Sequence, residues 1–443
     1  MSIRRIMNSY RMVTINPSAT LAMGEMAKQL SKDGINVTSF SMGEPDFVTP
    51  SHIREAAKKA LDDGYTYYTP SEGMWELRMA VAEKSAKEND IPCSYRDVII
   101  TPAKHGIFSS IFSTVGKGSE VIVPDPLWVS YIPQIDLAEA KPVFVPLKLK
   151  NEFRMVPEDI NEKITPYTKM IILNSPSNPT GAVLTLDNLK GIADLAIDND
   201  LIVLADEIYE KVIYDAKHYS IASLPDMFER TITINGFSKA YAMTGWRMGW
   251  VVAPPPLFKG IAKIQQHTIS CATSFAQRGA LEALKGPKEP LNEMVSTFRE
   301  RRDYTVKRLN DIEGIHCLKP KGAFYTFFSF DYDMSSMDLA THLLQKAHVA
   351  MTPGSAFGPS GEGFIRMSYA NSLENIIEGL YSVEMAVRDL PIRWRKGDTE
   401  EHENSREVYK KGKFSREDLK KFPHLRKSST AVGPVPLEKN HND

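Results

Sequence analysis

The chain has 443 residues, enough for two or three domains and a large core. Its 54 Lys and Arg residues nearly cancel 55 Asp and Glu, leaving a formal charge of −1. That balance excludes the broad basic field by which a protein holds nucleic acid or an anionic membrane, and points to small-molecule partners.

Cys93, Cys271 and Cys317 are odd in number and far apart. Such usage suits a reducing compartment and predicts neither a disulfide framework nor a metal site. The opening segment MSIRRIMNSYRMVTINPSATLAM is too polar for a secretory core, and no apolar run approaches the roughly 20 residues of a membrane span. A cytoplasmic location is expected.

In chain order, PSATLAMGEMAKQLSKDG reads as a helix and NVTSFSMGEPDF as a strand. Residues 1–48 are expected to form an N-terminal arm that joins a smaller domain across the chain. Residues 49–290 hold the larger domain. Between about Arg96 and Pro254, seven short β-branched runs stop at polar or Pro/Gly residues: DVIITPAKHG, EVIVPDPLW, KPVFVPL, KMIILNSPSNPTG, LIVLADEIYE, TITINGFSKA and MGWVVAPP. Helix-like stretches alternate with them. From Leu186, the residues Leu189, Ile192, Ala193, Ala196 and Ile197 keep helical spacing. Such alternation predicts an α/β domain with a mostly parallel sheet flanked by helices, whose ligand sits at the carboxyl ends of the strands.

After about Pro290 comes a charged helix, STFRERRDYTVKRLNDI. The runs GAFYTFFSF, VAMTPGSAFG and FIRMSYA follow, then the helix SLENIIEGLYSVEMAVRDL; this is the pattern of a smaller α+β domain over 291–390. The last 53 residues, 391–443, carry 13 Lys/Arg and 9 Asp/Glu and few large apolar side chains. They are expected to form a charged extension, docked or partly disordered.

Four strand ends carry candidate chemistry. NSPSNPTG, Asn174 to Gly181, is a stiff turn in which amide side chains replace donors that proline lacks. LIVLADEIYE delivers Asp206 and Glu207 from an apolar strand; a buried carboxylate needs a partner, although Asp206 could equally cap a helix. FSKAYAMTGWRMGW sets Lys239 in apolar company, where desolvation favours the neutral, nucleophilic amine. Arg247 suits a phosphate or a plain ion pair. In GFIRMSYA, Arg366 leaves an apolar run and could clamp a carboxylate or close a structural salt bridge.

In this order and spacing, with PSAT, GEPDF, YTYYTPSEG, PLWVSY, NSPSNPTGAV, ADEIYE, SKAYAMTGWRMGW and IRMSYA as landmarks from about Asn16 to Leu390, the chain resembles the fold type I pyridoxal-phosphate aminotransferases. The class I, aspartate aminotransferase-like group is the nearest in pattern.

The resemblance implies pyridoxal 5′-phosphate as cofactor, held as a Schiff base on Lys239, which also moves the proton between substrate and cofactor. Asp206 would pair with the ring nitrogen, Tyr209 and Asn178 would reach the ring's 3-oxygen, and Trp128 would stack on the ring. Arg247, Ser238, Ala103 and Lys104 would hold the phosphate. Tyr68 would reach the phosphate of a neighbouring subunit, making a homodimer part of the site. Arg366, with Gly43, Trp128 and Asn178, would bind the substrate and its α-carboxylate.

The chain departs from the family pattern at Pro102 and Ala103, where relatives carry small residues. Proline lacks an amide donor, so compensation by Lys104 or His105 is expected. The implied reaction passes the amino group of an L-amino acid, aspartate foremost, to 2-oxoglutarate in two half-reactions. Carbon–sulfur β-lyases and alanine or aromatic aminotransferases share the fold and remain as alternatives. A non-enzymatic regulator is the remotest, since only about 16 residues precede PSAT and a helix-turn-helix does not fit there. No arginine outside the landmarks stands out as a clamp for the substrate side chain.

Overall fold

The computed structural model describes residues 19–392 together with Met12 and Ile15. Pro17 and Ser18 of the PSAT landmark, and all of the charged extension beyond Ile392, lie outside the described residues. In chain order the strands are β1 Thr38–Ser39, β2 Val98–Ile100, β3 Glu120–Asp125, β4 Lys141–Pro146, β5 Thr168–Asn174, β6 Ile202–Asp206 and β7 Thr231–Gly236. They continue as β8 Gly249–Val252, β9 Ile315–Cys317, β10 Tyr325–Phe330, β11 Val349–Ala350, β12 Thr352–Pro353 and β13 Phe364–Ser368.

β2 to β8 form one seven-stranded sheet in the order β2-β8-β7-β6-β5-β3-β4. The five strands from β7 to β4 run parallel, while β8 is antiparallel to both β2 and β7. All seven β-branched runs therefore become strands of the expected mostly parallel sheet. Residues such as Val123, Ile172, Leu204 and Ile232 are fully buried under flanking helices, and each such side chain contributes about 1.5–3 kcal/mol.

The helix Leu186–Asp198 starts with a capping box, Thr185 and Asn188 bonding each other's backbone N–H. Its Leu189, Ile192, Ala193 and Ala196 are buried, whereas Ile197 is exposed. One residue beyond Ala196 turns the side chain about 100° around the helix and off the apolar stripe.

The remaining strands make a four-stranded antiparallel sheet, β12-β13-β10-β9, and a two-stranded parallel one in which β1 pairs with β11. Phe40, just after β1, and Met23 pack into the same apolar cluster as Phe324, Phe328 and Leu380. The N-terminal segment is thereby tied to the helix Leu373–Val387, and the loop 41–44 lies between the two larger sheets.

Candidate active site

The carboxyl ends of β5, β6 and β7 meet this loop and the middle of β13 around a cavity of about 440 Å³. Register determines which side chains face it. Asn174 pairs with Asp206, and Asp206 with Ile234, so the strand-end polar residues stand level with each other. Gly43, Ala103, Lys104, Trp128, Asn178, Asp206, Tyr209, Ser238, Lys239, Arg247 and Arg366 all line the cavity. Tyr68 does not; it is 90 % exposed on the outside of the chain.

Lys239 lies on the short helix Phe237–Ala240, directly after β7. Its Nζ donates to the carbonyl of Gly43, and it stands 5.8 Å from the Phe324 ring and 5.9 Å from that of Tyr209. No carboxylate lies within ion-pair distance of it among the described residues. Burial pulls its pKa down to about 8; Glu44 and Asp206 oppose the fall, and Arg366 and Arg247 add to it. An amine in this state is available as a nucleophile near neutral pH.

Asp206 accepts a hydrogen bond from the Tyr131 hydroxyl at 2.7 Å and one from the Ile208 amide at 3.3 Å. Burial nevertheless raises its carboxyl to about 6, with those hydrogen bonds resisting. Asp206 is therefore no simple helix cap: it is a desolvated acid that gains from a cation placed in the cavity. Glu207 turns the other way, accepting from Ser220 at 2.7 Å and facing His218 at 3.2 Å. With Glu210 these two form a group compact enough for a metal ion, but Lys84 already binds Glu210.

Arg366 sits between the rings of Tyr325 and Phe357, 4.6 and 4.8 Å from their centroids. It donates to Asn178 Oδ1 at 3.0 Å, to the Ser41 carbonyl at 2.6 Å and to Thr352 Oγ1 at 3.4 Å, while its Nε has no partner among the described residues. All these acceptors are neutral. The salt-bridge reading fails, because no carboxylate pairs with Arg366 among the described residues.

The cavity also holds Arg247 and Lys104 near the amino terminus of the helix Ala103–Thr114. Arg247 has φ 57, an uncommon conformation for a non-glycine residue, and donates to Thr244 O at 2.7 Å. Burial lowers the Lys104 pKa, and Arg247 lowers it further; its Nζ stands 5.0 Å from the Trp128 ring. Neither cation has a carboxylate partner among the described residues. Pro102 occupies the cap position, so its missing N–H precedes the first helical turn, whose own amides have no intrahelical acceptor. His105 does not compensate: its Nε2 faces Ser109 at 3.2 Å and Thr268 at 3.0 Å, and it is absent from the cavity wall.

A glycine at position 43 is also required by packing. A Cβ there would stand 2.5 Å from the Tyr325 hydroxyl, so the glycine makes room for that hydroxyl. At Gly249 likewise, a Cβ would stand 3.0 Å from the Ala103 amide nitrogen.

Two cavity-building residues escape the sequence reading, and a third, Asn174, is read there only as part of its turn. Tyr131, the last residue of PLWVSY, lies three positions after Trp128, the spacing of neighbours on a helical turn. Tyr325 joins the Tyr209 hydroxyl at 2.8 Å, with no local signal beyond one polar tip in an apolar strand. Asn174 accepts from the Asn178 amide at 2.8 Å and donates to the Asp206 carbonyl at 3.1 Å, holding the turn against the strand.

Residues 35–381 match the model of aminotransferase class I and II. An aspartate aminotransferase from Pyrococcus abyssi is 43 % identical over 387 residues, 86 % of this chain and 98 % of the relative. An aromatic-amino-acid aminotransferase from Thermococcus litoralis is 41 % identical over 387 residues, again 86 % and 98 % of the two chains. A Thermus thermophilus aspartate aminotransferase solved with maleate superimposes with a TM-score of 0.82 at 35 % identity, covering 86 % of this chain and 99 % of its own. The chain belongs to the class I and II aminotransferases, a pyridoxal-phosphate-dependent family of fold type I, and it is an aminotransferase.

Proposed function

We propose that the cavity binds pyridoxal 5′-phosphate through Lys239 and transfers the amino group of L-aspartate to 2-oxoglutarate. The observation that carries this reading is Lys239 itself, a desolvated amine with no acidic partner, sharing one cavity with a desolvated acid, Asp206.

The residues fit such a cofactor. Arg247, Lys104, Ser238 and the first amides of the helix at Ala103 suit a phosphate. Asp206 suits a cationic ring nitrogen, and Trp128 offers an aromatic wall. When bound, the group supplies an electrophilic carbon for amine capture and a ring that takes up electrons as the Cα–H bond breaks. Lys239 would hold it, and the same amine would move the proton at the substrate Cα. Tyr209, steadied by Tyr325, and Asn178 present polar groups to the 3-oxygen. Arg366 holds the α-carboxylate, with stacking and neutral acceptors keeping its guanidinium in place.

The cavity wall bears Lys104, Arg247, Arg366 and Lys239 against only Asp206 and Glu44. This positive excess suits a phosphate together with a dicarboxylic substrate, as does the similarity to aspartate aminotransferases. The aromatic-amino-acid aminotransferase relative supports a second reading, an aromatic donor.

Tyr68, exposed and away from its own cavity, would complete the site of a second copy in a homodimer. The division into a large domain at 49–290 and a small one at 291–390, with the arm 1–48, is part of the same reading. So is a reducing, cytoplasmic setting, which three free thiols support.

The test is a donor panel against 2-oxoglutarate. Aspartate is expected to give the highest kcat/KM; phenylalanine above aspartate would establish the second reading. Borohydride treatment with the vitamer is expected to label the Lys239 peptide, and labelling elsewhere or nowhere would end the proposal.

A further inference from the structure

A second cavity, of about 420 Å³, opens where the helices Trp75–Asn89 and Glu289–Asn310 meet the segment after β6. Lys211, Lys288 and Arg299 face it, with Glu88 the sole carboxylate on its wall.

Glu88 is already shared. It lies 2.6 Å from Lys211 and 3.8 Å from Lys84, whose ammonium also binds Glu210. Arg299 pairs with Asp215 at 2.6 Å. Lys288 has no carboxylate partner among the described residues; it donates to the carbonyls of Leu284 at 2.6 Å and Ala283 at 3.2 Å. Burial lowers its pKa, and Lys211 and Lys84 lower it further against the pull of Glu88. Lys288 is also the cap residue of the 22-residue helix Glu289–Asn310, whose first turn holds Glu289 and Pro290, so the terminus itself adds little positive charge and the ammonium and guanidinium groups supply the field.

Asn292 and Ser296 supply neutral donors on the same helix, one turn apart. Leu291 and Val295 supply an apolar strip beside them, closed by the Tyr241 ring. We propose that this cavity binds a small organic phosphate: the phosphate against Lys288 and Lys211 with Asn292 and Ser296, the organic part on Leu291, Val295 and Tyr241. Ammonium point charges favour phosphate, and the apolar strip favours an ester over the bare ion.

The test uses enzyme loaded with pyridoxal 5′-phosphate, so that the first cavity is filled, and titrates phenyl phosphate, inorganic phosphate and benzoate by calorimetry. Phenyl phosphate is expected to bind once per chain, more weakly as salt rises, and at least about tenfold tighter than inorganic phosphate, since a buried phenyl group is worth more than 1.4 kcal/mol. Benzoate binding equally well would overturn the choice of phosphate.

Lys288→Gln and Ser296→Glu should each weaken phenyl phosphate at least about tenfold, with kcat/KM for transamination within about twofold of wild type. Ser296→Glu keeps every bond of Lys288, so its loss of binding cannot come from an uncapped helix. Absence of a saturable signal in wild type, or wild-type affinity in both variants, would overturn the proposal.

Discussion

Lys84, Arg302 and Arg366 are buried cations and Lys239 is half-buried, yet Lys84 and Arg302 face opposite company to Lys239 and Arg366. Lys84 binds Glu210, whose carboxyl it helps draw down to about 2 against the cost of burial. Arg302 meets Asp215 and Asp303, each at 2.7 Å. Lys239 and Arg366 meet carbonyls, an amide, a hydroxyl and ring faces. Desolvating a cation costs several kcal/mol, and a carboxylate normally offsets this. Where the offset is missing, the cavity is built for something that arrives from outside.

The largest test of this contrast is Lys239→Ala. Transamination, followed by a coupled assay, should fall by about 10⁴-fold or more, while the urea midpoint stays level or rises because an uncompensated charge has gone. A fall in stability like that of a paired lysine would break the comparison.

Arg366→Ala should lower kcat/KM by about 10²–10³-fold, the usual loss when a buried charge pair with ligand is truncated. The effect should appear mainly in KM, with unfolding little changed. Arg302→Ala should do the reverse, costing about 3 kcal/mol of stability, at the low end because its carboxylates are half exposed, with kinetic constants close to wild type.

Tyr131→Phe removes the 2.7 Å hydrogen bond that holds Asp206 ionised. The Asp206 carboxyl, at about 6 in the free enzyme, should then move toward neutral pH. The acid limb of kcat/KM should follow it upward, and an unmoved limb would show that Tyr131 has no hold on the charge.

The smallest effect is on stability. Lys239 has a folded pKa of about 8 against an ordinary 10.5. A depressed folded value means that its stabilising contribution is present above pH 10.5 and is lost as pH falls through 8. The urea midpoint of cofactor-free wild type, relative to Lys239→Met, should therefore drop across that window.

Much of this was legible in the chain. The seven strands are written as short β-branched runs closed by polar or turn residues, because a sheet covered on both faces selects for that pattern wherever it occurs. The cavity residues Asp206, Lys239 and Asn178 could be found because a strand's end is a local property. The surroundings of His105 and Gly43 were not legible because both depend on distant atoms: Thr268 meets one, and the Tyr325 hydroxyl needs the space beside the other.

By itself, then, the sequence determined the order of the elements, the fold class and the residue types gathered at the strand ends, since periodicity and turn chemistry act over a few residues. Only the tertiary structure decided which cations keep a counter-charge. Arg302 has one acid beside it in the chain, Asp303, but its other partner, Asp215, lies 87 positions before it, and Asn178 lies 188 before Arg366. Electrostatic energy depends on distance through space and on water excluded by the fold, neither of which is written in neighbouring residues.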